Sequence, residues 1–335
     1  MQFDIFQTQY SIDLPFIHSP TFLKPLRQAT THALLYKPFT SDPAPSIQPP
    51  ASTEFLLAFL ALTARFHPKL VSHHSPPTAD HSSSPIEVSQ VYASAAAARL
   101  APLPHNASGL YSLEAVQALL MLALHEWGTG HQSKAWTFLR AAVTSAQAMG
   151  LHYERDLDDS PFARCFPTDA EERDSKTKHD HQPSNTLSSD DAFVQQEVRR
   201  RTFWTCFILD RYLSNGKFKL QSLNIKDIRI QLPTSEQAFL FGGKVHTLRL
   251  GEDQSNVPRA EVRGHQRTSS AADSVNGSVK RYSLNSNSNG TNGKTSDDER
   301  VKWEVGAEEG LLSRYIKILD IYGSVTRWAC GGGRR

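Results

Sequence analysis

SLEAVQALLMLALHEWGTGHQSKAWTFLRAAVTSAQAMG, Ser112 to Gly150, reads as two helices folded back on one another. Ser112 is placed to cap a first helix running through Glu126, and Gly128-Thr129-Gly130 supplies a turn. From Ala135 to Met149 the apolar residues Ala135, Phe138, Leu139, Ala142, Val143, Ala146 and Met149 recur at steps of three and four, which puts them on one face of a return helix. Gly150 falls where a left-handed cap is needed, and Leu151 can fold back over it. An αα-hairpin with an Ala-rich face is therefore expected, with Trp136 as the anchor for a neighbouring helix.

Outward from the hairpin the pattern stays helical. Upstream, EFLLAFLALTARF, Glu54 to Phe66, is apolar on nearly every side and belongs inside a bundle, with His67-Pro68 as its stop. Glu87 to Leu100 carries the small residues Ala95 to Ala98, which suit a helix packed close to its neighbour. Pro-rich linkers lie from Pro38 to Pro50 and from Ser72 to Pro85. Downstream, Asp190-Asp191 opens a further helix with carboxylates at the positive end of its dipole, and the helix runs to about Ser214. A final amphipathic stretch, Glu308 to Cys330, groups Leu311, Leu312, Tyr315, Ile316, Leu319 and Tyr322, and the ending GGGRR reads as an interruption of the domain. One run, Ile225 to Leu232, alternates like a strand. The fold class expected is all-α: a multi-helix bundle of antiparallel helical hairpins with long disordered insertions. The polar segment from Asp156 to Ser189, with its disordered part at about 157–189, and the segment from Gly251 to Arg300 have too little apolar surface to offset the entropy of ordering. This divides the chain into a helical domain over 1–250, a linker over 251–300 that exposes Lys280-Arg281-Tyr282-Ser283, and a truncated continuation of the domain over 301–335.

The 36 basic and 34 acidic residues leave a formal net charge of +2, so bulk electrostatics gives no reason to expect a nucleic acid as partner. Cys165, Cys206 and Cys330 stand too far apart for a disulfide framework or a zinc site, which fits a reducing compartment. The N-terminus MQFDIFQTQYSIDLPF is not a signal peptide, and nothing approaches the roughly 18 apolar residues that span a bilayer. The expectation is a soluble intracellular chain with no membrane contact, in which the sequons at Asn106, Asn276 and Asn289 are chance.

The candidates for chemistry are weak. His125-Glu126 with His131 fails the zinc-protease spacing, because Thr129 stands where the second histidine is needed and Gly128 and Gly130 break the helix. Gly128-x-Gly130 lacks the third glycine of a dinucleotide loop, which is Ser133 here. Asp156, Asp158 and Asp159 could hold magnesium only in a shaped cavity, and they read as a solvated loop. His73, His74 and His81, and also His179 and His181, sit in linkers without supporting groups. The run Arg199-Arg200-Arg201, with Arg211, Lys217 and Lys219, could form a positive stripe. Against that, Glu197 precedes Arg200 and Arg201 by three and four residues, Asp210 lies near the next turn, and Trp204 can stack on Arg200, so internal pairing is the expected use. No catalytic, cofactor or metal residue is assigned.

EVRRRTFWTCFILDRYLSNG, Glu197 to Gly216, resembles the signature helix of the fungal-specific transcription factor domain. Ser112 to Asp156 is similar to that family's helical hairpin, in order and at the usual separation. LPFIHSPTF near the start, Leu56 to Pro68, and IQLPTSEQAF from Ile230 to Phe239 resemble its other recurring blocks, so most of Leu14 to Val245 is covered. The resemblance implies the middle regulatory region of a binuclear zinc-cluster transcription factor of the nucleus, a helical domain linked to ligand response and dimeric regulation. It implies a small-molecule effector, a homodimer or related transcription factors as partners, and DNA contact only through a zinc-cluster module missing from this chain. The alternatives are a stand-alone helical interaction protein that pairs with full-length relatives, and an all-α enzyme, for which no acid, base, nucleophile or metal set is found.

Overall fold

The computed structural model describes residues 2–35, 51–74, 84–101, 111–154, 189–214, 220–253 and 302–330. At its centre lies the hairpin, α6 (Leu113–Gly128) and α7 (Gln132–Ala148). Every residue of α6 from Ala115 to Glu126 is buried, because the helix is enclosed by α7 and by three helices elsewhere in the chain. These are α3 (Thr53–Thr63), α5 (Pro85–Leu100) and α8 (Ser189–Leu213). Ser112 caps as the sequence requires, its Oγ accepting from the Ala115 N–H at 3.1 Å. At the far end of α7, Gly150 has φ +66° and the Leu151 N–H returns to Ala146 O at 3.0 Å, with Leu151 buried. Ser112→Ala is expected to cost about 1 kcal/mol, the usual value of a lost N-cap. Urea denaturation checks it, and an unchanged midpoint would mean that water replaces the hydroxyl without loss.

α3 and α5 pack through small residues, with Ala58, Ala61, Ala93 and Ala96 at 0 to 1% exposure. The stop after α3 comes earlier than Pro68: α3 ends at Thr63, a 3-10 turn spans Ala64–Phe66, and Pro68 opens the short α4 (Pro68–His73). Proline fits there because a first-turn residue has no helical use for its N–H. Two helices lie ahead of these, α1 (Gln2–Tyr10), which packs on α3, and α2 (Ser19–Leu35). Phe6 of α1 stacks on Phe59 at 5.1 Å, and Phe22 of α2 meets the same ring at 5.4 Å.

The run Ile225 to Leu232 is not a strand of a sheet. It begins as a 3-10 turn, Ile225–Asp227, and continues as extended chain with isolated bridges from Arg229 to Tyr153 and from Gln231 to Arg249. Alternation holds only from Ile228 to Ile230, where Arg229 is exposed between two buried residues; Gln231 and Leu232 are both buried. A helix and its side chains take the place of a neighbouring strand. The short strands lie later: β1 (Val245–Thr247) pairs in parallel with β2 (Lys302–Glu304), Val245 opposite Lys302 and Thr247 opposite Glu304. Ahead of both strands, after Ser235, comes α9 (Glu236–Phe241). α10 (Leu311–Cys330) follows β2 and packs on α8. Its buried face is Leu312, Ile316, Leu319 and Gly323, so the expected grouping is corrected at both ends: Leu311 is 81% exposed and Tyr322 39%.

Most of the insertion at 157–189, and the linker at 251–300 beyond its first three residues, lie outside the described residues, as do Asp156, Asp158, Asp159, His81, His179, His181, Cys165, Lys217, Lys219, the three sequons and Lys280 to Ser283. Among the described residues no helix is long and apolar enough to cross a membrane.

Candidate functional site

From Leu220 to Ser235 the chain has little regular structure, yet Leu223, Ile228, Ile230, Gln231, Leu232 and Thr234 are buried. Buried backbone N–H and C=O groups without a ladder must find partners elsewhere. One side of α8 supplies several of them, beside His152 O, Leu248 O, Glu154 and Glu304. Glu197, Arg201, Trp204 and Arg211 are spaced by four, three and seven residues and so share a face, and each reaches the irregular segment. Glu197 Oε1 accepts from the Thr234 N–H at 2.9 Å. Arg201 donates through Nη2 to Thr234 O at 2.9 Å and through Nη1 to Glu236 at 2.6 Å and Pro15 O at 3.3 Å. The Trp204 Nε1–H donates to Gln231 O at 2.7 Å. Arg211 Nη2 donates to Leu223 O at 3.0 Å, while Asp210 accepts from the N–H groups of Ser222 and Leu223 at 2.9 and 3.2 Å.

The charges balance in the interior. Glu197 binds Arg201 Nε at 2.9 Å and Arg200 Nη1 at 2.5 Å, and Arg200 also meets Glu154, which follows the hairpin. Glu154 in turn accepts from the Gln231 N–H and from Gln196 Nε2, each at 2.9 Å. Burial works against the Arg200 charge, but Glu197 and Glu154 outweigh it and hold its pKa above the usual value. Arg211 falls the other way: burial lowers its pKa, opposed by Asp210 at 2.7 Å and by Asp320. Arg201 lies over the Phe239 ring and Arg211 over Phe207, both at 4.0 Å. Trp204 does not use Arg200. Its ring meets Phe203 and Phe207 edge-on, because Arg200 is drawn off the ring by two carboxylates. Asp210 likewise serves Arg211 and the 222–223 backbone instead of the arginine run. The pairing of Glu197 with Arg200 and Arg201 stands as read from spacing. The partners Glu154, Thr234, Glu236 and Pro15 are set by tertiary contact and had no signal in the local pattern.

Arg200 is 4% exposed, and Arg201 and Arg211 are fully buried, so these guanidinium groups offer nothing to a phosphate. The other candidates are no closer to chemistry. His131 is the N-cap residue of α7, its Nδ1 2.9 Å from Glu126 and 3.1 Å from Thr129 Oγ1. His125 is fully buried in α6, as the helix running through Glu126 requires, and burial lowers its pKa, opposed by Glu126. Gly128 ends α6, and Gly130 makes the turn with φ +86°. Lys134 and Ser133 line an open hollow beside that turn. His74 Nε2 meets the Tyr92 hydroxyl at 2.8 Å, with His73 edge-on to it. Among the described residues no three His, Cys, Asp or Glu side chains are placed to hold a metal ion. Cys206 is fully buried, which pushes its thiol pKa up and makes it unreactive, and Cys330 is exposed.

The family model for the fungal specific transcription factor domain matches residues 3–262, a span that includes α8 and the irregular segment tied to it. The chain belongs to this family. It is 36% identical over 127 residues to the uncharacterized transcriptional regulatory protein C1327.01c of Schizosaccharomyces pombe, a match covering 38% of this chain and 11% of that protein. To the Zn(2)-C6 fungal-type transcription factor FTF1c of Fusarium oxysporum f. sp. lycopersici it is 30% identical over 131 residues, covering 39% of this chain and 12% of that one. The matched stretch is thus about an eighth of the curated relatives' length. No solved structure matches. These relatives are named as a transcriptional regulatory protein and as a Zn(2)-C6 fungal-type transcription factor.

Proposed function

We propose that these residues form the regulatory region of a fungal RNA polymerase II transcription factor acting in the nucleus, with DNA read by a zinc-cluster module outside residues 1–335. Partner chains or a small-molecule effector would act on the helical body, and we assign it no reaction. The observation that carries this reading is the use of the basic run. Arg200 and Arg201 are spent on Glu154, Glu197, Glu236 and the backbone of Pro15 and Thr234, so the signature helix organises the domain and leaves these charges nothing for a duplex. The three cysteines, none in a close pair, cannot supply the thiolates that bind zinc and fold a reading module.

A competition titration of residues 1–335 at physiological salt tests it. Equal, weak displacement by specific and scrambled duplexes is expected, and any residual attraction should fall steeply with added salt. A strong preference for one duplex would overturn the assignment.

A further inference from the structure

His125 is a titratable group with no part in the network around α8. It lies in the last turn of α6, its side chain has no exposure, and neither ring nitrogen has a hydrogen-bond partner among the described residues. A polar group buried without a partner weakens a fold. Packing alone therefore gives no reason for a histidine at this position.

The charges around the ring do. Glu126, itself 3% exposed, follows on the helix with Oε1 3.7 Å from His125 Nδ1, beyond hydrogen-bond length. Its carboxylate is already engaged, with Oε2 2.9 Å from His131 Nδ1 and Oε1 accepting from Gln90 Nε2 of α5 at 3.4 Å. From the 3-10 turn after α3 comes Arg65. Its Nη2 donates to the Tyr10 hydroxyl of α1 at 2.7 Å and would lie 4.0 Å from a Cβ added at Gly128, three residues beyond His125. Tyr10 in turn donates to Leu62 O of α3 at 3.2 Å. Arg65 thus stands where α1, α3 and α6 end together, and it repels a proton on His125, as His131 does from the hairpin turn. Among the described residues α7 and α8 bring no charged side chain to bear on the ring.

We propose that His125 is a proton-operated latch at this corner. Neutral, it lets the ends of α1, α3 and α6 close on one another; charged, it opposes Arg65 inside the fold and frees the corner ahead of the rest of the helical body. Burial is the largest influence and disfavours the charged ring, Glu126 favours it and Arg65 disfavours it, so the folded ring takes its proton below the ordinary histidine range. Unfolded, it does so near about pH 6.5. The folded state then binds fewer protons, so this contribution to stability is fully present above the unfolded pKa and is lost as pH falls below it. The loss approaches about tenfold in the equilibrium constant per pH unit, until the folded ring titrates as well. The latch belongs to the helical body alone and is measured without DNA, so its outcome is independent of the duplex titration.

Hydrogen exchange of the full chain at about pH 7.5 and about pH 5.5, corrected for the intrinsic rates, tests it. In the unaltered chain, acidification should lower the protection of α1 and of the last turn of α6 by about tenfold relative to α8. His125→Leu should lose this response, while His131→Gln should keep it. Should His125→Leu fail to fold, the carbon-bound proton signals of the His125 ring in the unaltered chain decide: the ring should still be mostly neutral at about pH 6.5, where an ordinary histidine is half charged. The proposal is overturned by an equal response in the unaltered chain and His125→Leu, by its loss in His131→Gln, by protection lost evenly over α1, α6 and α8, or by a His125 ring already half charged at about pH 6.5.

Discussion

Replacing Arg201 with alanine should lower the melting temperature by about 10 °C or more, the largest drop expected from any single charge in the chain. The side chain is fully buried and serves Glu197, Glu236, Pro15 and Thr234 at once. Removing it leaves Glu197 with one arginine in place of two and orphans a buried carbonyl, and breaking a buried pair from one side costs on the order of 3 to 5 kcal/mol. That is a large part of the 5 to 15 kcal/mol that holds a typical domain together. Arg201→Lys should recover little, since an ammonium is a point charge and cannot reach acceptors on opposite sides of the fork. The double change Glu197→Gln, Arg201→Met should cost less than the sum of its parts, because neither partner is then left charged and unpaired. Thermal denaturation followed by circular dichroism decides the matter. A melting point within a degree or two of the unaltered chain would mean that the Arg201 contacts are not formed in solution.

Much of this was legible in advance where the cause is local. The hairpin is written in its spacing, in Ser112 and in Gly150, and the structure places each of these as a cap or turn requires. The pairing of Glu197 with Arg200 and Arg201 is fixed by helix geometry alone. What could not be read depends on distant chain. α1 and α2 escaped because α1 is only nine residues long and α2 contains Pro25, and both pack rings against Phe59 of α3. At 225–232 the apolar spacing did mark buried positions at Ile228, Ile230 and Leu232, but whether an extended segment pairs with a strand or with helix side chains is decided by what lies beside it. α10 has apolar residues on most sides, so periodicity could not tell the packed face from the exposed one. β1 and β2 are three residues each and are separated in sequence by residues 248–301, too short and too far apart to leave a pattern.

Trp204→Ala should be as damaging as the loss of Arg201, and it corrects the choice of anchor made from the hairpin sequence. Trp136 is only half-buried, sits beneath Arg140 at 5.2 Å, and finds no hydrogen-bond partner for its Nε1 among the described residues. Its truncation should therefore cost about 1 kcal/mol, the ordinary effect of a point change. Trp204 is fully buried and packs edge-on against Phe203 and Phe207 at 5.9 and 5.4 Å. Cutting it to alanine opens a cavity at the centre of α8, for which 3 to 5 kcal/mol is the order of magnitude. The same change strips Gln231 O of its 2.7 Å donor while Gln231 N–H stays bound to Glu154, so the irregular segment loses one of the ties that hold it to α8. Trp204→Phe separates the two losses. It keeps most of the ring packing and removes only the donor, which should cost about 1 to 3 kcal/mol for a buried carbonyl left unpaired. Guanidinium denaturation of the three variants should rank Trp204→Ala as least stable, Trp204→Phe next and Trp136→Ala nearest the unaltered chain. If Trp136→Ala proves the most damaging of the three, the hairpin and not the signature helix anchors the domain, and the account of α8 as the template for residues 220–236 fails.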